Sequence, residues 1–165
     1  MFQALQLIRF TYLLGVGDRH LDNIMIHQNG SLFHIDYSYI LGHDPKLKDA
    51  TIRISPHMLD AMGGIESENY KIFRETCTKI YNTIRQHVAL ISSLMMILSN
   101  TNPTKFPRDK IEKEILRRFE PGISRPDACC HLTNLMNRSQ SHRWRYKLID
   151  MLHSSIKKGY SLLWS

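Results

Sequence analysis

Residues 15–36 read GVGDRHLDNIMIHQNGSLFHID, and the order of turn formers, apolar runs and oxygen-bearing side chains in this stretch decides how its neighbours fold. Ile24, Met25 and Ile26 form one short apolar run; Leu32, Phe33 and Ile35 form another. Between them lies Gln28-Asn29-Gly30. Asn-Gly is the strongest short hairpin signal, because both residues accept the positive φ of a turn that matches strand twist. A small antiparallel hairpin is expected, and it would bring Asn23 beside Asp36, thirteen positions later in the chain.

That juxtaposition has a chemical meaning. Asn23 and Asp36 are an amide oxygen and a carboxylate, hard donors suited to a magnesium ion whose other ligands are waters and phosphate oxygens. His20, three residues before Asn23, titrates near neutrality and is placed to accept a hydroxyl proton, with Asp18 or Asp22 to orient it. Each residue alone has an ordinary reading, as a capping or solvated Asp or a hydrogen-bonding loop His. Their combined spacing points instead to metal-assisted phosphoryl transfer, which asks for metal ligands, a group near the attacking hydroxyl, and fixed charge.

Upstream, residues 1–14 are strongly apolar, with Phe2, Leu5, Ile8 and Tyr12 at helical spacing, and Gly15 and Gly17 end that helix with access to positive φ. A buried helix with no leading turn or cap implies a segment before it. Downstream, residues 37–64 are irregular and basic: Gly42, Pro45, Pro56, Gly63 and Gly64 interrupt them, and Lys46, Lys48 and Arg53 carry charge. Within them Ser55-Pro56 reads as an N-cap and first helical residue of a short helix that stops at the double glycine.

The remainder, residues 65–165, reads as helical. Ser67 opens a run with Tyr70, Phe73, Cys77, Tyr81, Ile84, Val88, Ile91 and Leu94 at three- and four-residue intervals, one long helix or two joined near His87. After a turn-rich break at 100–107, Ile111, Ile115, Leu116 and Phe119 mark the next helix, and Ala128, Leu132, Leu135 and Met136 the one over 125–137. Residues 139–165 form an amphipathic segment, basic on one side through Lys157 and Lys158 and ending in an aromatic tip at Trp164. It suits a terminal helix docked on the domain, with its tip reaching a membrane surface.

The chain has 165 residues, of which 42% are hydrophobic and 22% charged, which is globular composition and not that of a disordered chain. Its net charge of +7 attracts phosphates, anionic lipid or nucleic acid without choosing among them. Three cysteines, Cys77 and the neighbours Cys129 and Cys130, fit reduced thiols and an intracellular setting. Without a second cysteine pair at zinc-ligand spacing, Cys129 and Cys130 read as a buried helical pair. No membrane span and no secretory signal is legible.

GDRHLDNIM followed by LFHID resembles the catalytic loop and metal-binding motif of the phosphatidylinositol 3-/4-kinases and their protein-kinase relatives, where DRHxxN and DFG lie this far apart. YILGHDPK, and MGG after a short gap, are most similar to the class III phosphatidylinositol 3-kinases. The resemblance is specific over about residues 12–45 and 61–73 and falls to a matching helical pattern towards the C-terminus. It implies an α+β, mainly helical fold: a protein-kinase-like C-terminal lobe whose small antiparallel hairpin carries the catalytic and metal residues. Residues 15–23 would be the catalytic loop, with His20 catalytic and Asp18 and Arg19 its supporting pair. Asn23 and Asp36 would hold Mg2+ or Mn2+, and residues 36–64 would carry the metal motif and activation segment. Lys46 and His43 would face the lipid headgroup, and Lys157, Lys158 and Trp164 the membrane.

The implied activity is transfer of the γ-phosphate of ATP to an inositol hydroxyl of phosphatidylinositol, at the 3-position, by an intracellular, cytoplasmic protein with endosomal-type peripheral membrane association. Implied partners are phosphatidylinositol in membranes, a regulatory subunit, and an N-terminal lobe. No stretch resembles the glycine-rich phosphate loop or ATP-binding lysine of that lobe, so residues 1–165 read as the C-terminal lobe with the N-terminal lobe missing. The pattern departs in three places: Tyr37-Ser38 stands where the family has Phe-Gly, His43 where arginine is common, and no proline-rich run follows Lys46. The alternative is a catalytically inactive lobe acting as a membrane- or partner-binding module. A protein kinase of the same superfamily comes third. Nucleic-acid binding comes last and is not expected, because no basic and aromatic interleaving marks a sheet face.

Overall fold

Thr11, Tyr12 and Leu13 are the described end of the first helix. The structure, a computed structural model, describes residues 11–17, 21–29, 32–41, 52, 54–141, 151 and 155. Among these it is mainly helical, with one two-stranded sheet. A 3-10 turn, Leu21–Asn23, leads into strand β1, Ile24–Ile26, which pairs antiparallel with β2, Leu32–His34. The register sets Ile24 against His34, Met25 against Phe33 and Ile26 against Leu32, one residue out of step with a two-residue Asn29-Gly30 turn, which would pair Gln28 with Ser31 and so Ile26 with Phe33. The apolar hairpin residues are less sheltered than their type suggests: Met25, Ile26, Phe33 and Ile35 are all exposed among the described residues.

Helix α1, Pro56–Ala61, starts as its sequence dictates. The Ser55 hydroxyl accepts from the Met58 amide at 3.2 Å and proline fills the first turn, where its missing N–H costs nothing. It stops at Gly63 and Gly64, with φ of 88° and 91°, angles that a side chain would make costly. Ser67 then caps α2, Glu68–Arg85, accepting from the Tyr70 amide at 3.1 Å. The long apolar run is two helices: α2 ends at Arg85, a turn over Gln86 and His87 follows, and α3 spans Val88–Thr101. Helices α4, Arg108–Phe119, and α5, Arg125–Ser141, complete the described fold.

The core lies in two clusters. In the first, α2 and α5 pack through Phe73, Cys77, Tyr81, Leu132 and Met136, with Ile52, Ile54 and Leu59 covering one end. In the second, α3 and α4 pack around Ile111, Ile115 and Phe119, joined by Leu41 and Phe106. Leu13 touches both clusters, so the end of the first helix sits at their seam.

Four expectations need correction. Leu94 lies on an exposed stripe of α3 with Leu90 and Ile97, because the inward face continues through Val88, Ile91, Met95 and Leu98, a step of four after Ile91 and not of three. Leu116 is exposed while its neighbours Ile115 and Phe119 are buried. Cys129 is half-buried, its Sγ accepting from Asn82 at 3.0 Å, and Cys130 is exposed, since consecutive helical residues point about 100° apart and do not share a face. Helix α5 runs on through Ser139, which is fully buried and accepts the Ile54 amide at 2.9 Å, so Ser139 belongs to the core and not to a terminal amphipathic segment. Among the described residues no helix is long and apolar enough to cross a membrane.

Candidate active site

The site grows from the turn that ends the first helix. The Gly15 amide donates to the Tyr12 carbonyl at 3.2 Å and the Val16 amide to Thr11 at 2.9 Å, and Gly15 takes a φ of 58°. That left-handed angle is what glycine supplies at a helix end. The next segment is clamped to the chain that follows Asp36: the Gly17 amide donates to the Tyr39 carbonyl at 2.8 Å, and the Leu41 amide to the Leu14 carbonyl at 2.7 Å. Leu41 is buried and has a φ of 56°, strained for a branched side chain. The positive φ of this segment therefore falls at Leu41 and not at Ser38, the position where the resemblance expects glycine.

Asp18, Arg19 and His20 lie outside the described residues, as do His43, Lys46, Lys157, Lys158 and Trp164. Asn23 and Asp36 are described, and both lie at the open end of the hairpin, Asn23 opposite Ile35 and Asp36 one residue further on. The Ile35 amide donates to the Asn23 carbonyl at 3.0 Å, which extends the strand ladder by one step and leaves Asp36 directly after Asn23's partner. Asn23 is buried and Asp36 partly so. Asp36 Oδ1 accepts the Ser38 amide at 2.8 Å, and the Asp36 amide donates to His34 Nδ1 at 3.3 Å, so the carboxylate is held by Ser38 and the backbone beneath it by His34. The His34 ring meets Tyr37 edge-on at 5.6 Å.

An amide oxygen and a carboxylate suit Mg2+ or Mn2+ when phosphate oxygens and waters supply the other ligands. No group of three or more His, Cys, Asp or Glu residues able to hold a metal occurs among the described residues, so no all-protein cage competes with that reading there.

One residue beside this site is absent from the sequence-based candidates. Arg118 of α4 is buried, and its Nη1 donates to the Tyr12 carbonyl at 2.6 Å. Its own carbonyl accepts the hydroxyls of Tyr12 at 2.8 Å and Tyr81 at 2.7 Å. Burial pushes both phenols above their ordinary range, which keeps them protonated donors. The sequence carries a signal: Arg118 stands seven residues after Ile111 and three after Ile115, on the apolar stripe, where a charge is out of place unless paired.

Its partner is Glu114, whose Oε2 meets Arg118 Nε at 3.1 Å and Arg117 Nη2 at 2.7 Å. Burial pushes the Glu114 carboxyl up, but the hydrogen bond from Arg117 and the charges of Arg118 and Arg117 outweigh it and hold the carboxyl below its ordinary value. A carboxyl with a depressed folded pKa binds fewer protons folded than unfolded. Its stabilisation is complete above the unfolded value of about 4.3 and is lost as pH falls through the lower folded value. Thermal unfolding followed by circular dichroism should therefore show an acid limb below about pH 4 that is shallower in Glu114→Gln. Equal limbs in the two proteins would remove Glu114 as a source of it.

Comparison with known proteins adds relatives to these motifs. The family model for phosphatidylinositol 3- and 4-kinase matches residues 6–106. The chain is 41% identical over 149 residues to phosphatidylinositol 3-kinase VPS34 of Saccharomyces cerevisiae, covering 87% of this chain and 17% of that protein. It is 38% identical over 146 residues to phosphatidylinositol 3-kinase pik3 of Schizosaccharomyces pombe, covering 87% and 18%. With phosphatidylinositol 3-kinase VPS34 of Arabidopsis thaliana the identity is 37% over 148 residues, covering 81% and 18%. The chain thus spans less than a fifth of the length of these relatives.

Proposed function

The chain belongs to the phosphatidylinositol 3- and 4-kinase family, and on that premise we propose that it is the catalytic-loop lobe of an ATP-dependent phosphatidylinositol kinase, transferring the γ-phosphate to the inositol 3-hydroxyl. The observation that supports this most directly is the hairpin itself, which carries Asn23 and Asp36 to its open end with Asn23 paired to Ile35, the residue before Asp36. The names of the relatives, phosphatidylinositol 3-kinases in yeasts and a plant, support the lipid substrate and the 3-position.

In this reading the residues divide the work by chemistry. His20 accepts the proton of the attacking hydroxyl, and Asp18 and Arg19 hold its orientation and add charge near the phosphate. Asn23 and Asp36 would hold magnesium, which when bound neutralises charge on the β- and γ-phosphates. The clamp of Gly17 on Tyr39 and Leu41 on Leu14 holds the chain on both sides of the loop, so the reacting groups need little reorganisation. Lys46 and His43 meet the headgroup phosphate, and Lys157, Lys158 and Trp164 bring the lobe to an anionic membrane surface, giving peripheral association with endosomal-type membranes inside the cell.

The test is turnover of radiolabelled ATP on phosphatidylinositol vesicles with magnesium, followed by identification of the phosphorylated position. Product at the 3-hydroxyl, lost in His20→Ala, supports the proposal. Product at another hydroxyl would overturn the assigned position. An unreduced rate in His20→Ala would overturn the role of that residue, and no product from the full-length polypeptide would overturn the activity.

A further inference from the structure

We infer that Arg118 is a positioning residue for this site: from α4, one buried guanidinium seats the turn from which the catalytic loop departs and to which the chain beyond Asp36 is tied. The inference rests on the phosphotransfer reading for its consequence, and on geometry for its substance.

Arg118 and Tyr12 clasp each other at both ends. The side chain of Arg118 donates to the Tyr12 carbonyl, and the side chain of Tyr12 donates to the Arg118 carbonyl. The guanidinium carbon also lies 5.7 Å from the centre of the Tyr12 ring. Further along the chain, Gly15 passes so close that a Cβ there would stand 2.6 Å from Nη2 and 2.8 Å from Cζ. The glycine is thus required twice, for its φ of 58° and for the space the guanidinium fills.

From this seat two pieces of chain diverge. Gly17 precedes Asp18 directly in sequence, and Leu14 and Gly17 hold Leu41 and Tyr39, three to five residues past Asp36. One side chain therefore underlies the chain on either side of the site. Packing alone does not explain an arginine here. The stripe of Ile111 and Ile115 would accept an aliphatic side chain, and a charge buried at 7% side-chain exposure costs several kcal/mol unless its partners are well placed. What the planar fork adds is direction: with Nε held by Glu114 and Nη1 by Tyr12, the guanidinium has one orientation.

The experiment compares wild type, Arg118→Met, Arg118→Lys and Gly15→Ala by amide hydrogen exchange, Mn2+ affinity and turnover. In Arg118→Met the Gly17 and Leu41 amides should exchange at least about tenfold faster while amides in the middle of α2 keep their wild-type rates. Mn2+ binding should weaken and kcat fall, with KM for ATP little changed, and Arg118→Lys should restore part of each because one donor to Tyr12 survives. If Arg118→Met does not fold, Gly15→Ala carries the test, since it displaces the same guanidinium and should loosen the same two amides. In the double variant Gly15→Ala with Arg118→Met the effects should be less than additive, because the clash goes with the arginine.

Wild-type exchange at Gly17 and Leu41 in the variants, or acceleration spread evenly over every helix, would overturn the inference, as would full additivity in the double variant. If wild type transfers no phosphate but the two amides still respond locally, the activity reading fails and the positioning of the turn stands.

Discussion

Asp36→Asn is expected to fold as the wild type does, to weaken Mn2+ binding at least about tenfold, and to lower turnover by about 10²–10³-fold. The choice of asparagine isolates one property. Asp36 has a structural task, accepting the Ser38 amide at 2.8 Å, and in the proposed function a chemical one, offering a negative charge to a divalent ion. An asparagine side chain keeps the volume and an acceptor oxygen for Ser38, so the turn survives, but it offers a neutral donor to a divalent ion. Asp36→Ala removes both. If the site works by charge, the two variants lose metal affinity alike and differ only in the stability of the 36–41 segment. If Asp36→Asn binds Mn2+ as tightly as wild type while Asp36→Ala does not, the residue is a turn former, and Asn23 and Asp36 are not the metal seat. Mn2+ titration by electron paramagnetic resonance reads the difference without any need for turnover.

How much of this is legible in the sequence follows the range of the interactions involved. The hairpin follows from Asn29-Gly30 between two apolar runs, a signal contained in a few residues, but its register does not, since it sets Asn23 opposite Ile35 where a two-residue turn would set it opposite Asp36. The caps at Ser55 and Ser67 are legible for the same reason, since each hydroxyl bonds an amide three residues on. Periodicity is a guide with limits. It fails at Leu94 because the inward step after Ile91 is four residues, to Met95, and both three and four are allowed by a helical period. It fails at Leu116 because Ile111, Ile115, Arg118 and Phe119 define the buried stripe of α4 and, at about 100° per residue, Leu116 falls beyond its edge.

What stays hidden depends on contacts between distant parts of the chain. Ser139 serves Ile54 across 85 positions, and Arg118 serves Tyr12 across 106. Neither pairing leaves a trace in local pattern except as an anomaly, a polar group on an apolar stripe. Such anomalies are informative because burying an unpaired polar group costs about 1–3 kcal/mol, so a fold keeps one only where a partner exists. The end of the first helix is held in this way by α4, whose Arg118 reaches back to the Tyr12 carbonyl.

Arg85→Ala is the substitution expected to cost the fold most outside the apolar core, about 3 kcal/mol, seen as a Tm lowered by about 6–12 °C. Arg85 ends α2, and its guanidinium gathers the carbonyls at the end of α4: Nε donates to Phe119 at 2.7 Å, and Nη2 to Glu120 and Ile123, each at 2.7 Å. Those are carbonyls that a terminating helix leaves without intrahelical partners. Nη1 reaches Asn82 at 3.2 Å, and the cation lies 5.8 Å from the Tyr81 ring centre. The α4 terminus needs this help because Glu120 turns the chain at a φ of 40°, where glycine would be the easier residue. Arg85→Lys should recover only about 1 kcal/mol, since an ammonium cannot address three divergent carbonyls at once. Arg117→Ala provides the contrast: its pair with Glu114 is half exposed on the arginine side, and its loss should cost about 0.5 kcal/mol. Because α4 also carries Arg118, the Arg85 variant should loosen Gly17 and Leu41 as well, although Arg85 touches neither. Equal losses from Arg85→Ala and Arg117→Ala would mean that water serves those carbonyls as well as the arginine does, and that the end of α4 holds its place without α2.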